Sequence, residues 1–229
     1  MFRYRITFRK EGPARWIGHL DLMRALERAF RRAGLPLSYT EGFNPRPRFV
    51  FGLPLPVGVV GKKELADVYL RVPANPEGIK ARLSPVLPEG LGLEAVKRIP
   101  RDAPNLMAAV GMASYRAEGR AAPAVTAERV AEAVNAVLGA QEIKCRREGK
   151  AGLKEQDIRP GIFSLEASII KDTLIVSMKV RAGQHGNIRP EEVVDAFLRL
   201  SGLPGNPRDF TYYHIGLYMV TDSRAVSLG

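Results

Sequence analysis

The 229 residues include one cysteine, Cys145. That shortage excludes an intrachain disulfide, a cysteine-rich zinc site and a cysteine-ligated iron–sulfur cluster built from this chain alone. Cys145 itself reads as a small, half-buried residue of a strand. Histidine is scarce as well: His19, His185 and His214 lie far apart in sequence and show no metal-ligand spacing, so neither a metal nor a cofactor is expected. No run approaches the roughly 18 apolar residues of a membrane span. The start Met1-Phe2-Arg3-Tyr4-Arg5 lacks the pattern of a signal peptide, so a cytoplasmic protein without membrane contact is expected. Acids are the remaining shortage, with 24 Asp and Glu against 35 Lys and Arg and a formal charge of +11.

What is present is a soluble composition, 45% apolar and 26% charged, enough for two domains of about a hundred residues each. The positive excess is concentrated. Residues 1 to 48 hold eleven Lys or Arg against four acids, a field that attracts nucleic acid, acidic membrane or acidic protein. The bland alternative is the general basicity of an arginine-rich chain. Within this region, Glu41-Gly42-Phe43-Asn44-Pro45-Arg46-Pro47-Arg48 and Leu53-Pro54-Leu55-Pro56 carry four prolines. Proline fixes φ and removes a backbone donor, so these segments form a shaped surface rather than helix or central strand.

Periodicity supplies the element order. Phe2 to Arg9 alternates apolar with mostly basic residues, predicting a strand with one solvated basic face. From His19 to Ala33 the residues Leu22, Met23, Leu26, Ala29, Phe30 and Ala33 keep helical spacing, with Arg24, Arg28 and Arg31 on the opposite side and Gly34 as a stop. Short strands are expected at Leu37 to Thr40 and Arg48 to Phe51, then a strand at Leu65 to Val72, a helix at Pro76 to Leu83 and a strand at Leu91 to Ile99. This β-α-β-β-α-β order predicts a ferredoxin-like unit over 1–100, and Pro100 to Pro104 reads as a linker. The pattern returns over 105–229: strand Met112 to Glu118, helix Ala127 to Leu138, strand Glu142 to Arg147, hairpin Phe163 to Ile170 with Thr173 to Arg181, helix Glu191 to Leu200, strand Phe210 to Met219. The fold class expected is therefore α+β, two tandem ferredoxin-like (βαββαβ) units with antiparallel sheets, the second embellished. Lys154 to Asp157 is expected on a loop, and Pro190 before two glutamates as a helix start.

The segments Trp16-Ile17-Gly18-His19-Leu20-Asp21-Leu22-Met23-Arg24, Glu41 to Pro47, Leu53-Pro54-Leu55-Pro56-Val57-Gly58 and Asp157-Ile158-Arg159-Pro160 together resemble the radical-SAM-linked protein family, a bacterial domain of unknown function. The resemblance spans nearly the whole chain. It implies an accessory role in RNA or ribosome-related modification beside a cobalamin-binding radical-SAM enzyme, to which members are fused or next to which they are encoded. Without a cysteine triad for the cluster, this chain is expected to be the stand-alone form.

Residue by residue, Phe43, Asn44, Arg46 and Arg48 combine an aromatic ring, an amide and two guanidinium groups on a stiff loop, suited to phosphates with a base stacked on the ring. The alternative is that Phe43 and the prolines plug the end of the sheet. Arg24, Arg28 and Arg31 extend the candidate nucleic-acid surface, and Lys144, Arg146, Arg147 and Arg159 form a candidate second patch. His19 and Asp21 are candidate substrate contacts. His19 and His185 are the candidate catalytic groups, His19 also reading as a capping or packing histidine and His185 as part of a phosphate-receiving or merely solvated Gly183 to Asn187 loop. Three functions follow: a non-catalytic RNA-binding or substrate-presenting accessory protein, a metal-independent endoribonuclease, and a protein-docking module that uses Leu53 to Gly58.

Overall fold

The computed structural model describes residues 1–149, 152–221 and 224–229. It is a mixed α+β chain with antiparallel strand pairing and few helices, divided into two compact units: Met1–Gly111 with His214–Gly229, and Met112–Tyr213. No described helix is long and apolar enough to cross a membrane.

The first unit runs β1 (Phe2–Lys10), α1 (His19–Arg32), β2 (Phe49–Phe51), β3 (Val60–Leu70), α2 (Pro76–Leu83), β4 (Leu91–Ile99) and a single turn α3 (Leu106–Ala109). Strand β1 lies between β4 and β3, and β2 pairs with β3 on its other side, all antiparallel. Alternation explains the layering: Tyr4, Ile6 and Phe8 of β1 are buried with Leu22, Leu26, Ala29 and Phe30 of α1 and with Ile79 and Leu83 of α2. Asn75 caps α2 by accepting from the Glu77 N–H, with Pro76 at the first helical position.

The opposite side of β1 is not the solvated basic face that alternation predicts. Arg3 and Arg5 converge on the fully buried Asp67 of β3, at 2.6 and 2.8 Å. Arg3 also donates to the Ala103 and Pro104 carbonyls, and Arg5 to that of Leu228. A buried carboxylate must be paired, and the alternating arginines are its partners. The expected strand at 37–40 is reduced to isolated bridges, Leu37 to Leu70 and Tyr39 to Pro47.

The second unit runs β5 (Met112–Arg120), α4 (Ala127–Gly139), β6 (Lys144–Gly149), β7 (Gly152–Asp157), β8 (Ile162–Ile170), β9 (Thr173–Arg181) and α5 (Pro190–Ser201). Strand β9 lies between β5 and β8. The segment expected as a loop before Asp157 is instead β7, paired with β6 in a separate hairpin. Strand β10 (Thr211–Thr221) begins in this unit, and from His214 it belongs to the first, where it neighbours β3 and pairs with β11 (Arg224–Ser227).

Candidate nucleic-acid interface

Helix α1 buries Leu22, Ala25, Leu26, Ala29 and Phe30 and exposes its arginines, with Arg31 and Arg32 in the last turn, where cations complement the helix dipole. Arg24 pairs with Asp21 at 3.4 Å, and Arg31 with Glu27 at 2.9 Å. Arg31 also donates to the Tyr39 hydroxyl at 3.1 Å, a bond that raises its pKa. Arg32 donates to the Val86 carbonyl. Arg28 has no side-chain partner among the described residues.

Tyr39 joins this helix to the proline-rich loop. Its carbonyl accepts from Arg48 Nε at 3.1 Å, and Arg48 stands 4.0 Å from Glu41. The Thr40 and Arg46 backbones close the loop: Thr40 N–H donates to the Arg46 carbonyl at 2.8 Å, and Arg46 N–H to Thr40 Oγ1 at 3.0 Å. At the tip, Gly42 has φ 116°, a region that suits glycine, and Phe43 is fully solvent-exposed. The alternative in which Phe43 plugs the sheet is thereby excluded. Asn44 and Arg46 are exposed beside it, and the Arg46 guanidinium has no partner among the described residues. The fold thus brings Arg24, Arg28, Arg31, Phe43, Asn44, Arg46 and Arg48 into one unit, helix and loop linked through Tyr39.

The other candidates separate. Asp21 is exposed on α1, while His19 turns inward against Phe51, ring centroids 4.8 Å apart, where burial lowers its pKa and keeps the imidazole neutral near pH 7. His19 lines a cavity of about 10 Å³ with Lys10, Glu64, Leu53 and Leu55, room for one water at most. The Leu53–Pro54–Leu55–Pro56 segment therefore sends its leucines inward and exposes its prolines.

Spacing did not disclose the buried polar cluster to which Lys10 and Glu64 of that cavity belong. Lys10, Glu64 and His214 are all buried. Glu64 Oε1 lies 2.5 Å from His214 Nδ1, and Lys10 Nζ donates to the Arg15 carbonyl at 3.0 Å. Desolvation lowers the Lys10 pKa, opposed by the Glu64 charge. The only signal in the sequence is three ionisable residues inside strand-forming stretches, which is weak because their partners are distant in the chain.

The residues of the candidate second patch have carboxylate or carbonyl partners. Lys144 faces Glu142 and Glu155 at 3.4 and 3.9 Å, and Arg146 faces Glu155 at 3.5 Å. Arg147 makes two bonds to Glu192, at 2.5 and 2.6 Å, and one to the Asn187 carbonyl. Arg159 is an inward cap: Nε and Nη2 donate to the Leu138 carbonyl at the end of α4, and Nη1 to that of Ile162. At the start of α5, Glu192 accepts from the Arg189 N–H at 3.0 Å. His185 is exposed on the adjoining loop. Cys145 is buried on β6, its thiol pushed up to about 11 by burial and then by Glu192 and Asp195.

No curated protein matches the chain. Among solved structures it is similar to a chain of a Cbf5-Nop10-Gar1 complex, at 11% identity and TM-score 0.49, covering 93% of this chain and 48% of that one. It thus spans about half the length of that neighbour. It is also similar to an unknown protein from Galdieria sulphuraria, at 14% identity and TM-score 0.27, covering 93% and 98% of the two chains. Neither likeness bears on function. A family model matches residues 3–190, through β1, the arginine-bearing helix, the Phe43 loop and the second unit as far as Pro190, and on that match the chain belongs to the bacterial family described as "uncharacterized protein conserved in bacteria" (DUF2344).

Proposed function

We propose that this protein binds RNA without cleaving it and presents it to a radical-SAM enzyme, as a cytoplasmic accessory protein built from two ferredoxin-like units. The observation that carries the RNA-binding part is the Phe43 loop: a fully exposed ring on a proline-stiffened turn, next to an Arg46 without a protein partner, with Arg48 and Arg31 held on Tyr39. Rigid cations beside an unburied ring provide phosphate contact and base stacking at low ordering cost. The fold reading is supported by the β4-β1-β3 order with β2 beside β3 and two helices in the first unit, and by β5-β9-β8 with α4 and α5 in the second. The radical-SAM link rests on the sequence resemblance alone.

Cleavage is the less supported reading, because His19 faces a water-sized cavity rather than the arginine surface. Docking to the enzyme has one observation in its favour. Trp16, Leu20 and Val57 are 59%, 61% and 58% exposed, and Trp16 packs on Gly58, so the start of α1 and the Val57 turn leave apolar surface in solvent.

Purified protein should bind cellular tRNA or rRNA fragments in a salt-sensitive manner and leave them intact without added metal. Replacing Arg46 and Arg48 by alanine should weaken binding across many sequences, because phosphate contacts carry little sequence information. Unchanged affinity in that double variant would remove the loop from the account. Metal-independent cleavage lost in His19→Ala would replace the accessory reading with an enzymatic one.

A further inference from the structure

Strand β8 (Ile162–Ile170) is an edge of the second unit, paired with β9 on one side only. An edge strand presents a row of backbone N–H and C=O groups to any chain that can pair with them, and proteins ordinarily blunt it with lysine, proline, a bulge or a cover. The molecule holds both kinds of edge. Strand β4, an edge of the first unit's sheet, carries Glu94, Lys97 and Arg98, and an irregularity interrupts its pairing with β1. Strand β8 reads Ile-Phe-Ser-Leu-Glu-Ala-Ser-Ile-Ile, with Glu166 as its one charge and neither lysine nor proline. Its irregularity lies between Ile162 and Ser164, so 164–170 run in unbroken register.

The register decides which backbone groups point outward. Ile170 faces Thr173 across the turn Lys171-Asp172, which makes these two a hydrogen-bonded pair. By alternation Ser164, Glu166 and Ser168 also bond to β9, while Leu165, Ala167 and Ile169 direct their N–H and C=O groups away from it. Among the described residues, the hydrogen bond that reaches β8 from outside this pairing is at its start, where the Ile162 carbonyl accepts from Arg159. Side chains divide by the same period. Leu165, Ala167 and Ile169 stand opposite the buried Met178, Val176 and Leu174, on the face that α4 covers. Ser164, Glu166, Ser168 and Ile170 stand on the other face, and Ile170 is 58% exposed.

We propose that β8 pairs antiparallel with β8 of a second copy of this chain, about a two-fold axis at Ala167. A closed two-fold interface requires a self-complementary surface, and this register supplies one. Ala167 meets the partner's Ala167 and Leu165 the partner's Ile169, each pair using the outward backbone groups of both strands. On the other face Glu166 meets the partner's Ser168, and Ser164 the partner's Ile170. Residues 164–170 of each strand are then paired throughout. Centring the axis on Glu166 would set two carboxylates directly opposite each other, which is unfavourable, and centring it on Ser168 would shorten the paired run to 166–170. The inference goes beyond the RNA-binding reading and does not depend on it.

The test is sedimentation velocity on the nuclease-treated full chain, without RNA, from about 1 to about 100 µM, the range suited to a small interface. A reversible species of twice the monomer mass should appear. Ser168 is exposed, so its substitutions leave the core of the unit intact. Ser168→Glu sets carboxylates opposite each other at two symmetric places and should weaken the dimer about fivefold, while Ser168→Lys sets an ammonium opposite each Glu166 and should tighten it by a similar factor. Ala167→Pro removes an outward N–H at the centre of the pairing and should give a monomer. Thermal melting checks that this variant is folded, and the Ser168 pair decides the matter if it is not. A chain that stays monomeric throughout overturns the proposal and leaves the edge to a strand of another protein. A dimer on which Ser168→Glu and Ser168→Lys act alike overturns it as well, since the copies would then meet elsewhere. With RNA absent, neither result bears on the RNA-binding reading.

Discussion

Lys10 ends β1 buried, with its ammonium on the Arg15 carbonyl and the Glu64 charge nearby. Burial disfavours the charged form, and its effect exceeds the opposing pull of Glu64, so the folded-state pKa lies below 10.5. Between that lowered value and 10.5, the unfolded chain holds a proton that the folded chain has released. Stability toward unfolding therefore rises with pH across this window. Urea denaturation at neutral pH and again near pH 10 should show the rise in the unaltered protein and its absence in Lys10→Met. An identical pH profile in both would mean that Lys10 titrates normally. None of this was legible locally. Lys10 directly follows Arg9 and breaks the alternation of β1, and its environment is supplied by Glu64, which in turn meets His214, 150 residues further on. Arg3 and Arg5 misled for the same reason, since only the fold puts Asp67 beneath them.

Elements were legible where one periodicity dominated. Pro76–Leu83, Leu91–Ile99 and Thr173–Arg181 occupy the residues that pattern and turn chemistry predict, and α1 differs by one residue at its end. Strand β7, Gly-Leu-Lys-Glu-Gln-Asp, escaped because it is exposed on both sides and has no apolar alternation to read. Its partner β6 holds it through backbone pairing and through Lys144 and Arg146 on Glu155. The same hairpin brings Lys144 and Arg146 of the candidate second patch against Glu155, a contact that sequence separation conceals. The entry to β4 depends on one glycine. Gly90 sits at φ +83°, its carbonyl accepts from the Glu11 N–H, and a Cβ there would fall 2.3 Å from the Glu11 carbonyl oxygen and 2.8 Å from Ala14. Gly90→Ala should cost more than about 1 kcal/mol, because both the backbone conformation and the contact oppose a side chain. A denaturation midpoint equal to that of the unaltered protein would show that the turn can rearrange.

At the scale of the whole molecule, the formal charge of +11 divides unevenly, +9 in the first unit and +2 in the second, and the candidate surfaces of the two units hold their cations differently. In the first, Arg28, Arg46, Arg98 and Arg101 have no carboxylate partner among the described residues, and Arg48 meets Glu41 only at 4.0 Å. In the second, Lys144, Arg146 and Arg147 each face a glutamate, and Arg159 is spent on carbonyls. A cation already held by a carboxylate neutralises an arriving phosphate less, so fewer of the counterions condensed on the RNA are released and its contribution to salt dependence is small. Binding of single-stranded RNA across a salt series should then be governed by the first unit. Removing Arg28, Arg46 and Arg48 together should flatten the plot of log affinity against log salt by about 2, at roughly 0.7 per phosphate contact. Removing Lys144 and Arg146 should leave that slope unchanged. Equal flattening by both variants would mean that net charge, rather than its partnering, governs binding, and the Phe43 loop would then have no privileged role.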